Sequence, residues 1–172
     1  MNITKPAMFA AALLLTAGVA HADPAGIEIK GLRIGMSEAE FKKLNRTAKC
    51  GFSSRDVAWD SSISRVRTCS VAGFTLATKE AERSQFLFYE DKLGSWNATF
   101  YDFYGSDLRE ALAAKFGSPL ADPQGASWVF GGTSMHLVMT GGSALLVVRS
   151  DISSNWNLRL EEFKLRKGKA DL

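Results

Sequence analysis

Apolar residues recur along most of the chain at every second position or at every third and fourth, and switches between these periods divide the sequence into elements. Ile27, Ile29, Leu32 and Ile34 alternate imperfectly around Lys30-Gly31, predicting a short strand, or two strands linked at Gly31. Gly35-Met36-Ser37-Glu38-Ala39-Glu40-Phe41 then reads as a strand-to-helix junction. Ser37 is the N-cap, Glu40 its reciprocal partner three residues on, and Met36 with Phe41 a hydrophobic staple. The helix is expected from about Glu38 to Asn45, with Phe41 and Leu44 facing inward. Thr47 to Ser64 is rich in Ser, Arg and Asp and reads as an irregular excursion.

From Val66 the pattern is that of strands, over Val66–Phe74 and on past Gly73 to Thr78, with a polar loop over Lys79–Arg83. Ser84–Tyr89 and Leu93–Tyr104 form a predicted hairpin across Glu90-Asp91-Lys92. Trp96, Ala98 and Phe100 fall on one face of the second strand, and Asn97, Thr99 and Tyr101 on the other. Leu108, Ala111, Leu112 and Phe116 make a helical stripe, predicting a second helix over Asp107–Phe116. Ser106 is its cap, Gly117 its C-terminal stop and Pro119 a block to continuation. A loop over Leu120–Ala126 leads to a meander of Ser127–Phe130, Thr133–Met139 and Ala144–Ser150, turning at Gly131-Gly132 and Gly141-Gly142. Trp156, Leu158 and Leu160 fit one more strand, and Lys164–Leu172 a solvated basic tail, within a C-terminal region that turns basic from about residue 160. This order predicts an α+β fold, an antiparallel sheet with two short helices packed on one face. Each half opens with a Ser-capped helix, a pattern that an internal duplication would produce.

The N-terminus changes the counts. Lys5 precedes an almost wholly apolar run from Ala7 to Ala20, and Ala20-His21-Ala22 has the small-x-small form of a signal-peptidase site, with cleavage expected at Ala22/Asp23. The expected products are a signal peptide, 1–22, and one domain, 23–172, exported as a soluble periplasmic or secreted protein. No cysteine lies near the cleavage point, which disfavours a lipid anchor. Cleavage lowers the formal net charge from +3 to +2, because Lys5 is the only charge removed. So balanced a charge argues against nucleic acid as a partner. The two cysteines, Cys50 and Cys69, are both in the exported part, where an oxidising compartment makes a structural disulfide the expected state.

Catalytic chemistry has little to build on. His136 is the one histidine left after cleavage, and no Gly-x-Ser-x-Gly elbow accompanies a serine. Its surroundings lack the ligands of a zinc site. The carboxylate pairs Glu38/Glu40, Glu80/Glu82, Glu90/Asp91 and Glu161/Glu162 fall in caps, turns and charged loops, and no glycine-rich loop leads into a helix to cradle phosphate. No catalytic, metal or cofactor site is therefore assigned. Arg55, Arg65, Arg67 and Lys79 surround the disulfide region and read as a solvated face. The aromatics are more numerous than one face of a small sheet needs. Trp59, Tyr101, Phe103 and Tyr104 are candidates for a protein-binding surface, unless the second helix covers them.

Gly35-Met36-Ser37 before an acidic helix start resembles the Gly-Met-Thr/Ser lead-in of the small outer-membrane-assembly lipoproteins of the BamE/SmpA type. The fold shared with β-lactamase inhibitor protein also sets such helices before antiparallel strands. Phe116-Gly117-Ser118-Pro119, Trp128-Val129-Phe130 and Phe88-Tyr89-Glu90-Asp91-Lys92-Leu93 are similar to that group's helix ending, aromatic strand and hairpin. The resemblance implies a scaffold or inhibitory binding module. The function expected is thus an exported, non-catalytic protein that binds another envelope or secreted protein. The alternatives are an inhibitor of a secreted or periplasmic hydrolase, using the Thr47–Ser64 excursion, and a small hydrolase built on His136 or a carboxylate pair.

Overall fold

The capping box forms as its residues dictate: the Ser37 hydroxyl accepts from the Glu40 N–H at 3.2 Å, and the Glu40 carboxylate accepts from the Ser37 N–H at 2.8 Å. It starts α1 (Glu38–Leu44) in a computed structural model that describes residues 27–52, 66–122 and 125–170. The expected signal peptide and its cleavage site lie outside the described residues, as do residues 53–65 of the excursion. Ahead of the helix, β1 (Glu28–Ile29) and β2 (Leu32–Arg33) pair across Lys30-Gly31, whose φ angles of 54° and 77° make the tight turn that Gly31 promised. Phe41 is fully buried, but Leu44 is 54% exposed and lies over the Gly31 turn. A two-turn helix buries only one narrow stripe, so the expected inward Leu44 sits at the rim.

Then come β3 (Lys49–Phe52), β4 (Arg67–Ser70), β5 (Thr75–Leu76), β6 (Lys79–Glu80), β7 (Arg83–Tyr89) and β8 (Lys92–Tyr101). Part of the expected excursion is thus a strand, and the expected Lys79–Arg83 loop contributes β6, paired with β5. The β7–β8 turn is Glu90-Asp91, with φ of 51° and 62°, so Lys92 already belongs to the strand. A 3₁₀ turn, Asp102–Tyr104, runs straight into α2 (Gly105–Phe116). That turn ends β8 at Tyr101 rather than Tyr104, and it replaces the expected Ser106 cap: the helix begins before Ser106, and no side chain caps it.

The second half continues with β9 (Leu120–Asp122), β10 (Gly125–Phe130), β11 (Thr133–Thr140), β12 (Ser143–Ser150) and α3 (Asp151–Ala170). β9 occupies part of the expected loop. Helix α3 replaces the expected last strand and most of the expected tail. Its spacing serves both periods: Ile152, Trp156 and Leu160 recur every fourth residue and pack together, whereas Leu158, needed on the strand face, is exposed. Among the described residues, no helix is long and apolar enough to cross a membrane.

The main sheet is antiparallel and eight-stranded, in the order β3-β4-β7-β8-β12-β11-β10-β9. Each half is a helix followed by a meander, and the last strand of each, β8 and β12, meet at the centre. On one face, Phe41 of α1 and Leu108 and Leu112 of α2 join Phe86, Phe88, Trp96, Ala98, Phe100, Met135, Leu137 and Leu146 in one core. The expectation of helices on one face therefore holds for α1 and α2. The third helix covers the other face, where Trp156 packs with Val66 and Tyr89. The outer strands are short, Lys49 sits on one and Pro119 immediately precedes the other, which blunts edge-to-edge pairing.

Cys50 and Cys69 lie opposite one another in the β3–β4 register and are joined by a disulfide, with Cα atoms 4.0 Å apart. Their separation of 19 residues makes the bond worth about 3 kcal/mol by the chain-entropy argument. Reduction should lower the denaturation midpoint accordingly, as urea titrations with and without a thiol reductant will read. Superimposable curves would contradict the structural role.

Candidate functional site

Three of the four sequence-nominated surface aromatics come together. Tyr101 ends β8, opposite Ser143 of β12, and Phe103 and Tyr104 follow in the 3₁₀ turn. Alternation along β8 puts Tyr101 on the face away from Trp96, Ala98 and Phe100, and the turn then carries the chain round the end of the sheet. Tyr101 and Phe103 are stacked, with centroids 5.4 Å apart and planes 12° from parallel. Tyr104 meets Phe103 edge-on at 4.3 Å. Neither α2 nor α3 covers the outer two rings: Tyr101 is 48% and Phe103 65% exposed. The fourth nominee, Trp59, lies outside the described residues.

Beneath this cluster, half-exposed Met139 lies against Gly105, where a Cβ would stand 2.3 Å from the methionine Cε. The close approach explains a glycine at the first position of α2. Sequence reading missed Met139, because only the turn of the chain round the sheet end brings β11 to the aromatic cluster. On the inner side, the Lys79 ammonium stands 4.9 Å from the Tyr104 ring centroid and pairs with Asp107 at 2.7 Å. The Asp107 carboxylate bonded to it raises the Lys79 pKa. Asp102 accepts the Phe103 N–H at 2.7 Å and has no ion-pair partner among the described residues.

A second cluster surrounds the disulfide. Glu38, expected to be a cap residue at a charged helix start, is 8% exposed and is the hub of an ion-pair network. Arg67 of β4 grips its carboxylate through Nε and, at 3.1 Å, through Nη2, while Lys42 reaches it at 2.5 Å from one helical turn on. The Glu38 N–H donates to Asp91 of the β7–β8 turn at 3.1 Å. The Glu38–Lys42 spacing is legible in the sequence, whereas the Arg67 contact exists only because β4 lies beside α1. The Arg67 guanidinium, with Lys42 alongside, holds the Glu38 carboxyl below the usual carboxylate range against the opposing effect of burial.

The Glu38 carboxylate and the sulfurs of Cys50 and Cys69 lie within 4.8 Å of one another, the spacing of a metal site. The sulfurs are bonded to each other and the carboxylate to two cations, so none of the three is available as a ligand. Of the basic residues expected to share one solvated face, Arg67 and Lys79 are committed to separate partners. Arg55 and Arg65 lie outside the described residues.

His136 and Ser127 occupy opposed positions on β11 and β10, with Nδ1 and Oγ 2.9 Å apart. This contact was not foreseen, since it needs the register of the meander. Activating a serine further requires a group that orients the histidine and donors for an oxyanion. No carboxylate bonds to His136 among the described residues, and both residues lie mid-strand, where neighbouring strands compete for backbone N–H groups.

These features define the molecule as an α+β protein with an exposed aromatic cluster at one end of its sheet. No protein-family model, curated protein sequence or solved structure matches the chain.

Because the folded-state pKa of Glu38 is depressed below its ordinary value of 4.5, its contribution to stability is present above that pH and is lost as pH falls through the folded value. Glu38→Gln should cost about 2 kcal/mol at neutral pH, from lost charge-assisted bonds and two cations left unpaired. The gap between wild type and variant should narrow in urea titrations as pH is lowered below 4.5 and the carboxylate takes up its proton. A gap that stays constant with pH would rule out the ionised network as its source.

Proposed function

We propose that this protein is an exported, non-catalytic module of the cell envelope that binds another envelope or secreted protein through the Tyr101–Phe103 platform. One observation carries the reading: two large rings, stacked and 48% and 65% exposed, at the end of the ten-residue strand β8. Burial of aromatic side chains is worth most in a protein interface, and rings with few rotatable bonds lose little entropy on docking. The disulfide suits an oxidising compartment. The resemblance of Gly35-Met36-Ser37 and the Phe116–Pro119 helix ending to the BamE/SmpA and β-lactamase inhibitor protein groups supports a binding role. The Ser127–His136 pair, with no carboxylate bonded to the histidine among the described residues, favours binding over hydrolysis.

The chain spanning residues 23–172, immobilised as bait in envelope extract, should retain one dominant protein. A Tyr101→Ser/Phe103→Ser variant with an unchanged melting temperature should lose it. Equal retention by the variant would remove the platform from the interaction. Turnover of ester or peptide substrates that Ser127→Ala abolishes would replace the binding reading with the hydrolase one.

A further inference from the structure

Among the described residues, three other rings have one of the chain's own cations over them. Arg67 lies 5.0 Å from the Phe52 ring centroid, Lys79 4.9 Å from Tyr104 and Lys115 5.4 Å from Phe116. The two stacked rings Tyr101 and Phe103 have no such cation among the described residues, although the Asp102 carboxylate stands between them in sequence without an ion pair. The neighbouring Tyr104 shows what completes the arrangement: a cation over the ring, held by a carboxylate, Asp107, at 2.7 Å from it. Cations bind aromatic faces through the ring quadrupole, and a nearby carboxylate adds to the attraction.

Resting on the binding role proposed above, we infer that the partner completes the platform with an arginine, its guanidinium stacked on Phe103 or Tyr101 and hydrogen-bonded to Asp102. Arginine fits better than lysine because its planar, weakly hydrated fork can lie flat on a ring and bond a carboxylate edge-on at once. The occupant is thus an exposed arginine-bearing segment of another protein. Asp102 is available for this, since its known bond uses one carboxylate oxygen, Oδ1, to accept the Phe103 N–H. Asp107 is paired with Lys79, whereas the Asp102 carboxylate between the two rings has no ion pair among the described residues, which leaves it to receive a positive group.

The test is an NMR titration of the isotope-labelled protein with two synthetic peptides, one carrying spaced arginines in a Gly-Ser background and one with citrulline in their place. The arginine peptide should shift the Tyr101 and Phe103 ring resonances and bind about tenfold more tightly than the citrulline peptide, consistent with a desolvated cation–π contact. Asp102→Asn should reduce that preference several-fold while leaving the unliganded spectrum outside residues 101–104 unchanged. Equal affinity for both peptides, shifts confined to other surfaces, or indifference to Asp102→Asn would each overturn the inference. Equal strength for a matched lysine peptide would overturn the choice of arginine. Self-association that depends on Phe103 would reassign the site to a second copy of this chain. Failure here, alongside capture of a protein that still requires Tyr101 and Phe103, would sink the arginine and spare the binding role. Loss of both would sink both.

Discussion

Everything in this molecule hangs on the pairing of β8 with β12. Each half of the chain makes its own helix and its own meander, and this one ladder, running from Ser95–Arg149 to Tyr101–Ser143, turns two half-sheets into one. Its core-facing pairs, Trp96–Val148, Ala98–Leu146 and Phe100–Ala144, are all buried. Large and small residues alternate across the ladder, the arrangement by which facing side chains pack closely. The exposed rings inherit this rigidity. Tyr101 is the last residue of the ladder, and the turn carrying Phe103 leaves directly from it, so the platform has a fixed geometry before any partner arrives.

The first half is secured at a second point. The segment leading into α1 is stitched to the start of β8, through Gly35 N–H to Leu93 O at 2.7 Å and Leu93 N–H to Met36 O at 2.8 Å. Asp91 then takes an otherwise unpaired N–H of α1, and Glu38 ties the helix to β4 through Arg67. The disulfide fastens the outermost strand, β3, to that same β4. Charge, capping and covalent bond therefore converge on one corner, opposite in the sheet order to β9. The repeated helix-plus-meander arrangement is the topology an internal duplication would leave, and we propose that origin for it.

Local chemistry was legible where it was self-sufficient. Ser37 and Glu40 announce a helix start because their hydrogen bonds are made within four residues, and Lys30-Gly31 announces a turn because few residues accept φ above zero. The alternation through Trp96, Ala98 and Phe100 gave the faces of β8 correctly because a sheet face is a local property. The failures have a common cause. Trp156, Leu158 and Leu160 fit a strand as well as a helix, and only the surface offered by Val66 and Tyr89 selects the helix. Ser106 is a good cap residue, yet the 3₁₀ turn before it begins the helix first. The Glu38–Arg67 pair and the Ser127–His136 contact join residues brought together by strand order and register, neither of which the local pattern fixes. For the aromatics, the sequence showed a surplus over one face. Whether helices cover it was a tertiary question, answered by α3 lying toward Tyr89 and away from Tyr101.

The most direct test of the binding account is photo-crosslinking in intact cells, with p-benzoylphenylalanine in place of Phe103 and, as control, in place of Leu158, which is equally exposed on α3. The account predicts one discrete high-mass adduct from position 103 and none from position 158. Adducts that are absent at 103, or identical at the two positions, would contradict it.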